Sequence, residues 1–280
     1  MAQDKVICSE AAIRIQDALH KAERLLPPEI EESIEKARSC EGSPSGRLVL
    51  GAIAENLRIS RETGLPMCQD TGMFWCLASV GRDSTVPMRR IEEAVNEGCL
   101  RAATEGYLRK SVVEDPVYSR VNTKTNLPVV MSWELVEGSA VTLSFLLKGF
   151  GSENCSSVRM LNPTAGEKGV RDAVLEMMRK AGGKPCPPVF LGVGIGGTMD
   201  RAALLSKKAF FQEGDRSLSA AIMQDVNTLG IGPGGLGGSQ TCLGVSVLAE
   251  ATHIAGLPVA LTVNCWAERK AVVVFKEGEL

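Results

Sequence analysis

Apolar side chains recur at helical spacing through the first 65 residues of the chain. Ile15 and Leu19 fall on one face of a first segment, with polar residues between them. Pro28 suits the first turn of a second helix, because the N–H group that proline lacks has no helical partner at that position. A third run, over 45–61, ends before a Gly-Leu-Pro sequence that stops helices. We therefore predict a helical N-terminal part over residues 1–65.

Apolar runs that are typical of strands alternate with helical segments after residue 66. The run GMFWCLASVG is bounded by glycines, which indicates a short strand. Two β-rich runs, LPVVMSWELV and AVTLSFLLKG, are joined by Glu137-Gly138-Ser139, and this pattern predicts a hairpin. Helical segments and three closing strands follow, without the strict βαβ alternation of a doubly wound sheet. The order predicts an α+β fold, with mixed, largely antiparallel sheets flanked by helices.

Composition narrows the class of protein. A chain of 280 residues can bury a substantial core, and we expect a single domain over residues 1–280. Hydrophobic residues make up 44% and charged residues 23%, a balance that excludes disordered and fibrous classes. A net charge of −2 offers no electrostatic attraction for nucleic acid or anionic lipid. The first residues do not have the pattern of a secretory signal, and no apolar run reaches the roughly 18 residues of a membrane span. We expect a cytoplasmic protein.

Nine cysteines against two histidines favour thiol or soft-metal chemistry over a histidine-rich zinc or copper site. No Cys-x-x-Cys spacing occurs, which excludes zinc ribbons, thioredoxin-type redox pairs and ferredoxin-type clusters. Without a secretory route, a disulfide framework is not expected. Five cysteines adjoin loops or turns and stay open as ligands or reactive thiols, and a buried structural role is the alternative for each. They are Cys68, Cys155, Cys186, Cys242 and Cys265.

Three polar groupings are candidates for binding or acid–base chemistry. Gln69 and Asp70 put an amide and a carboxylate directly beside Cys68. The segment NTKTN, over 122–126, is unusually polar for a position between apolar neighbours, and an Asn-rich turn is its structural interpretation. His253 follows an apolar segment, where a satisfied structural histidine competes with a catalytic one.

The glycine pattern at Gly192–Gly197 fits G-x-G-x-x-G and lies between an apolar run and a helix. In that context a glycine turn lets a pyrophosphate approach a helix N-terminus, so a dinucleotide-dependent oxidoreductase is one hypothesis. The expected acidic partner at the end of a second strand is missing, however. A loop that admits another ligand close to the backbone, or a plain tight turn, is the competing interpretation. The second glycine-rich loop, over 232–238, has no Lys-Ser/Thr after it and is not a Walker A loop.

Five motifs, taken together, resemble the class I (iron–sulfur) fumarase family. The resemblance is to its N-terminal domain, which is a separate α subunit in two-subunit fumarases and L-tartrate dehydratases. The motifs span some 200 residues in the order of the family. They are CQDTG (68–72), VNTKTNLP (121–128), KGFGSEN (148–154), CPPVFLGVGIGGT (186–198) and HIAGLPVALTVNCWAER (253–269).

The resemblance implies a [4Fe–4S] cluster held by Cys68, Cys186 and Cys265, with one iron left open for substrate. Residues 66–280 would then be the cluster-binding part of the domain, and Cys155 and Cys242 would be structural. An open iron suits Lewis-acid chemistry, whereas an electron-transfer cluster would use a fourth protein ligand.

The resemblance also assigns the substrate contacts and the proton transfer. Its implied substrate-binding residues are Gln69, Arg109 and Gly151, and its implied catalytic residues are Asp70 and His253. A guanidinium fork suits a substrate carboxylate, although a solvated arginine at the end of a helix is the structural alternative for Arg109.

The implied activity is the reversible hydration of fumarate to (S)-malate, with an L-tartrate dehydratase α subunit as the alternative. Family members in one chain carry a further C-terminal domain, so we expect a β subunit to complete the active site and the α/β unit to homodimerise. A non-catalytic iron–sulfur scaffold is the remaining alternative, but it would not require Gln69 and Asp70 beside a ligand cysteine.

Overall fold

A computed structural model describes the chain over residues 2–280, with side chains described from Glu10 onward. The chain forms two compact units. The first unit comprises residues 2–26, Asn56–Gly149 and Arg269–Leu280, and the second comprises Pro27–Glu55 and Phe150–Glu268.

Three helices occupy most of the first 65 residues, which confirms the predicted helical N-terminal part. Proline occupies the first turn of α2, as predicted. The α-helices are α1 (Ala2–Arg24), α2 (Pro28–Cys40), α3 (Pro44–Thr63), α4 (Met88–Glu105), α5 (Phe150–Glu153), α6 (Gly166–Ala181), α7 (Met199–Lys208) and α8 (Arg216–Asn227). No helix within residues 2–280 combines the length and the apolar composition needed to cross a bilayer.

Eight strands within the described residues form two mixed sheets, each with four strands, and antiparallel pairs predominate. The predicted α+β class with largely antiparallel sheets is confirmed. The strands are β1 (Met73–Gly81), β2 (Val130–Val136), β3 (Val141–Lys148), β4 (Ser157–Leu161), β5 (Val189–Gly197), β6 (Cys242–Thr252), β7 (Leu257–Asn264) and β8 (Lys270–Phe275).

In the first unit the strand order is β2-β1-β3-β8, so the predicted hairpin between β2 and β3 is wrong. The turn at Glu137–Ser139 does join these strands, but β1 lies between them, parallel to β2 and antiparallel to β3. Burial explains this order. β1 is apolar on both faces and nearly fully buried, which favours a central position, whereas β2 has no fully buried residue and lies at the edge. Helices α1 and α4 cover one face of the sheet with Ile15, Leu19 and Ile91.

The second unit has a similar arrangement, in the order β4-β7-β5-β6. Its strand β5 is parallel to β6 and antiparallel to β7, although β6 and β7 are consecutive in the chain. Helices α6 and α8 pack on this sheet against a buried cluster that includes Leu191 and Val193 of β5 and Leu261 of β7. The core of the second unit therefore lies between these two helices and the sheet.

The glycine pattern at Gly192–Gly197 lies within strand β5, so the turn expected there is wrong. Gly192 and Gly194 face α7, where a Cβ atom would overlap the backbone carbonyls of Ser206 and Ala202. These glycines therefore let a helix pack closely along a strand, and no glycine turn opens toward a pyrophosphate.

The second glycine-rich loop closes on a buried carboxylate. Oε2 of Glu41 accepts hydrogen bonds from the backbone N–H groups of Ser239 and Gln240, both at 2.9 Å. A Cβ atom on Gly238 would lie 2.7 Å from that oxygen, so only glycine leaves room for the contact. Burial alone would raise the pKa of Glu41, but the N–H groups of Ser43, Gln240 and Ser239 together hold it below its ordinary value. The loop is thus accounted for by its own packing.

Candidate functional site

The loop CQDTG joins α3 to β1 in the first unit, and glycines shape it. Oδ1 of Asp70 accepts a hydrogen bond from the N–H of Gly72 at 3.1 Å. Gly72 has φ +74°, and a Cβ atom there would overlap the carbonyl of Lys148 at the end of β3. A Cβ atom on Gly149 would lie 3.0 Å from Oδ2 of Asp70. Gly72 therefore lets the loop approach the end of β3 closely, and Gly149 leaves room for the Asp70 carboxylate there.

A buried ion pair supports the same loop from inside the first unit. Arg269 and Glu23 are each 1% exposed, and Nη1 of Arg269 donates to both carboxylate oxygens of Glu23, at 3.1 and 2.9 Å. Nη2 of Arg269 donates to the backbone carbonyl of Asp70 at 2.7 Å. Burial raises the pKa of Glu23, and the Arg269 guanidinium opposes that rise. The backbone of Asp70 is thus tied to a pair of buried charges.

The backbone of Arg109 is held by side chains from two of the motifs. Oγ1 of Thr71 accepts a hydrogen bond from the N–H of Arg109 at 3.0 Å. Nδ2 of Asn126 donates to the carbonyl of Arg109 at 2.8 Å, and Oδ1 of Asn126 accepts from the N–H of Ser111 at 2.6 Å. The Arg109 side chain itself is exposed. The structure therefore brings Asp70 and Arg109 into one neighbourhood of the first unit, through Thr71.

In the second unit, Cys186 lies in the turn that leads into β5. It is exposed and has φ +55°, a left-handed conformation that is uncommon for a residue with a Cβ atom. Such conformations cost about 1–3 kcal/mol and cluster at functional sites. The next residue, Pro187, accepts a hydrogen bond from the N–H of Gly234 at 2.7 Å.

Cys265 and Gly151 lie at the same end of the second unit as Cys186. Cys265 directly follows β7, whose last residue Asn264 pairs with Phe190 near the start of β5. A Cβ atom on Gly151 would be 3.7 Å from the carbonyl of Lys184, two residues before Cys186. The Cys265 thiol is half-buried, and its Sγ is 3.8 Å from the carbonyl of Ala267.

A cavity of about 300 Å³ opens beside this end of the second unit. Three basic residues, Arg159, Lys180 and Lys184, are among those that line it, together with Cys155. Arg159 forms an ion pair with Glu176, and the two lysines are exposed. The lining suits an anionic molecule.

His253 lies at the opposite end of the second unit from Cys265. It is exposed in the turn between β6 and β7, and its Nδ1 accepts a hydrogen bond from the N–H of Ala255 at 3.1 Å. In the neutral ring the proton is therefore on Nε2. β7 separates the two residues, and a strand of this length spans about 24 Å. The structure does not bring His253 and Cys265 together within the second unit.

Burial divides the eight cysteines whose side chains are described. Cys76, Cys99 and Cys242 are buried, and burial raises the pKa of each thiol, in Cys242 to about 12. A metal ligand must be a thiolate, so these three are poor ligands. Cys68, Cys186 and Cys265 are half-buried or exposed, as are Cys40 and Cys155.

The residues implied by the resemblance fit an iron–sulfur cluster in their chemistry. The three implied ligands are accessible thiols, and Asn264, next to Cys265, is 1% exposed with no hydrogen-bond partner for either amide atom among the described residues. A buried amide without a partner costs about 1–3 kcal/mol, so a polar group beside Cys265 would be stabilising. Cys68 belongs to the first unit and the other two ligands to the second. Within the described part of either unit, no three His, Cys, Asp or Glu side chains are grouped to hold a metal ion.

Sequence reasoning missed Glu23 and Arg269 as supports of the site. Glu23 and Arg269 are 246 residues apart in the chain, so no local sequence pattern contains both of them. Arg269 does end the last of the five motifs, and that position was the available signal.

Comparisons with known proteins identify relatives of this chain. A family model described as fumarate hydratase (Fumerase) matches residues 13–274. A protein of Methanocaldococcus jannaschii, named "Putative L(+)-tartrate dehydratase subunit alpha", is 36% identical over 272 residues, which cover 92% of this chain and 95% of that protein. The L(+)-tartrate dehydratase subunit alpha of Escherichia coli K12 is 28% identical over 261 residues, covering 89% of this chain and 85% of that protein.

Proposed function

This chain belongs to the fumarate hydratase family, and we propose that it is a hydro-lyase α subunit that catalyses the reversible hydration of fumarate to (S)-malate. The observation that carries the proposal is the hydrogen bond from the N–H of Arg109 to Oγ1 of Thr71, the residue that follows Asp70 in the chain. A carboxylate and a guanidinium in one neighbourhood are the groups that proton transfer and carboxylate binding require.

L-tartrate is the second candidate substrate. The relatives from Methanocaldococcus jannaschii and Escherichia coli carry names of L(+)-tartrate dehydratase α subunits, and this favours tartrate, whereas the name of the family model favours fumarate. Both reactions add or remove water on a four-carbon dicarboxylate, so the same residues serve either.

We assign the cofactor to Cys68, Cys186 and Cys265, which would hold a [4Fe–4S] cluster. When bound, the cluster would supply a Lewis acid that polarises the C–O bond of the substrate. A reducing compartment would preserve it, and we therefore place the protein in the cytoplasm.

Asp70 is the acid–base residue of the proposal. Its Oδ1 is anchored by the N–H of Gly72, and we assign the proton that is exchanged with substrate to Oδ2, on the side of Gly149. Arg109 binds one substrate carboxylate through its guanidinium, Gln69 donates its amide N–H to the substrate, and the backbone of Gly151 contacts it. We include both units in one catalytic domain over residues 1–280, since the family model spans both.

We propose that His253 acts at the site of a second copy of the chain. β7 holds His253 about 24 Å from the end at which Cys265 lies, which is too far for His253 to reach a four-carbon substrate at a cluster on Cys265 of the same copy. A homodimer of the α/β unit would let His253 of one copy serve the site of the other, where its Nε2 proton is available to the substrate. Co-expression of Asp70→Asn and His253→Ala chains tests this. Mixed dimers should recover part of the activity that each variant lacks alone, and no recovery would contradict it.

A β subunit completes the site in this proposal, as the α-subunit names of the relatives suggest. The test is anaerobic purification with and without a co-expressed β-subunit candidate, followed by iron and sulfide analysis and by assays on malate and tartrate. Asp70→Asn should keep the cluster absorbance and lose activity. Activity retained in Asp70→Asn would refute the acid–base assignment, and robust turnover without a second polypeptide would refute the need for one.

A further inference from the structure

Two buried side chains hold the backbone of Arg109 on both of its sides. Thr71 is 1% exposed and accepts from the N–H of Arg109, and Asn126 is fully buried and donates to its carbonyl. The two side chains come from motifs that lie 38 residues before and 17 residues after Arg109. We call these two residues, Thr71 and Asn126, the Arg109 clamp.

The chemistry of Asn126 fits the clamp closely. Its amide uses its donor on Arg109 and its acceptor on Ser111, so both ends of the side chain are satisfied in a site without solvent. Its φ of +60° is a left-handed conformation that asparagine tolerates better than most residues. Aspartate would keep the acceptor and lose the donor, and so would remove one side of the clamp.

The clamp fixes the backbone of Arg109, from which its long side chain extends. The guanidinium is exposed at the end of a long side chain, and the segment that carries it has no regular secondary structure. Holding the N–H and the carbonyl of Arg109 fixes the origin of that side chain relative to Thr71, and therefore relative to Asp70, the preceding residue. A displaced guanidinium would bind its substrate carboxylate less tightly, because a charged hydrogen bond of this kind depends on its geometry.

We propose that Thr71 and Asn126 are positioning residues that set the Arg109 guanidinium at the distance from Asp70 that a dicarboxylate substrate requires. The inference rests on the proposed function, because that function gives Arg109 its substrate carboxylate. Within the Asn-rich segment, Asn126 is thus the residue that acts on the substrate through Arg109.

Kinetics of the holoenzyme with Asn126→Asp tests the proposal. We expect KM for malate or tartrate to rise about tenfold while kcat changes little, since a lost hydrogen bond of this kind displaces a group that binds substrate and transition state alike. Asn122→Asp is the matched control, because Asn122 donates to the neighbouring carbonyl of Lys110 at 2.9 Å in the same loop. The control should keep the wild-type KM. An unchanged KM in Asn126→Asp, or an equal rise in the control, would overturn the proposal.

Two further measurements keep the outcome clear. Thr71→Val should speed amide hydrogen exchange at Arg109 and raise KM. Thr71→Ser should keep the wild-type exchange rate and KM, because serine keeps the accepting hydroxyl. Calorimetry with succinate, a non-reactive dicarboxylate, measures binding without turnover. If the wild-type enzyme turns over neither substrate, the proposed function fails. Weaker succinate binding in Asn126→Asp would then still support the clamp, and unchanged or absent binding would overturn it.

Discussion

Arg269 donates a hydrogen bond to the backbone carbonyl of Asp70, and it does so while paired with Glu23 inside the first unit. A fully buried guanidinium keeps a fixed geometry only when its charge is balanced, so the position of the Asp70 loop depends on a carboxylate in α1. This dependence makes Glu23 a support of the proposed acid–base residue.

Removing the buried carboxylate should destabilise the protein strongly. Glu23→Gln leaves Arg269 without a counter-charge, and we expect a loss of about 3–5 kcal/mol in the free energy of unfolding. Glu279→Gln is the control, because it breaks an exposed pair with Arg14 that water screens, and its effect should be far smaller. Urea unfolding of both variants measures the difference. Equal effects would show that the buried pair does not support the loop.

A methyl group at Gly72 should disrupt the loop that carries Asp70. Gly72→Ala would strain a left-handed residue and also overlap the carbonyl of Lys148, whereas Gly138→Ala meets open space at a similar φ of +88°. Gly138→Ala should therefore cost about 1–2 kcal/mol, and Gly72→Ala clearly more. Thermal unfolding compares the two variants, and similar melting temperatures would contradict the predicted overlap.

Serine at each proposed cluster ligand should remove iron from the protein. Cys68→Ser, Cys186→Ser and Cys265→Ser should each lower the iron and sulfide content after anaerobic reconstitution, since thiolates are the preferred ligands of iron–sulfur clusters. Cys155→Ser and Cys40→Ser, which replace accessible thiols outside the ligand set, should keep wild-type content. Loss of iron in either control would point to a different ligand set.

The buried thiols should resist alkylation in the folded protein. Maleimide at pH 8 should modify Cys40 and leave Cys76, Cys99 and Cys242 unmodified until the chain unfolds, as mass spectrometry would show. The pKa of Cys242 is about 12 in the folded state against an ordinary 9.0. Its contribution to stability is therefore full below pH 9 and is lost as the pH rises from 9 toward 12.

Acid should weaken the loop that closes on Glu41. The pKa of Glu41 is held below its ordinary value of 4.5, so the stability that its carboxylate contributes is present above pH 4.5 and is lost as the pH falls below that value. Glu41→Gln should remove this part of the pH dependence and lower stability at pH 7. Hydrogen exchange over 232–240 at pH 7 and pH 4 measures it, and an unchanged pH response in Glu41→Gln would contradict the assignment.

Local sequence patterns are sufficient to predict the helices and strands, but they are insufficient to predict which strands pair. Apolar spacing predicts α1–α3 and the strand β1, because each pattern is contained in one segment. The insertion of β1 between β2 and β3 depends on which strand is buried on both faces, a property of the assembled sheet. For the same reason the glycines of β5 suggest a turn when the sequence is taken alone, although their neighbours are residues of α7.

The candidate site, too, could be predicted from the sequence only in part. The family resemblance implies roles for Asp70 and Arg109, whereas the contacts that hold them, from Thr71, Asn126 and Arg269, join segments that are distant in the chain. The spacing of apolar and polar residues along the sequence does not indicate such contacts. The polarity of the Asn-rich segment is visible in the sequence, but its partner can be identified only in the folded structure.

The strand order of the first unit has a consequence for synthesis of the chain. β8 pairs with β3 along 270–275, more than a hundred residues after β3 has been made, and Arg269 precedes it directly. During translation the second unit emerges in full before this strand does. The Asp70 loop can therefore acquire its Arg269 contact only late, after residues 269–275 have left the ribosome, so that assembly of this loop is deferred until nearly all of both units has been made.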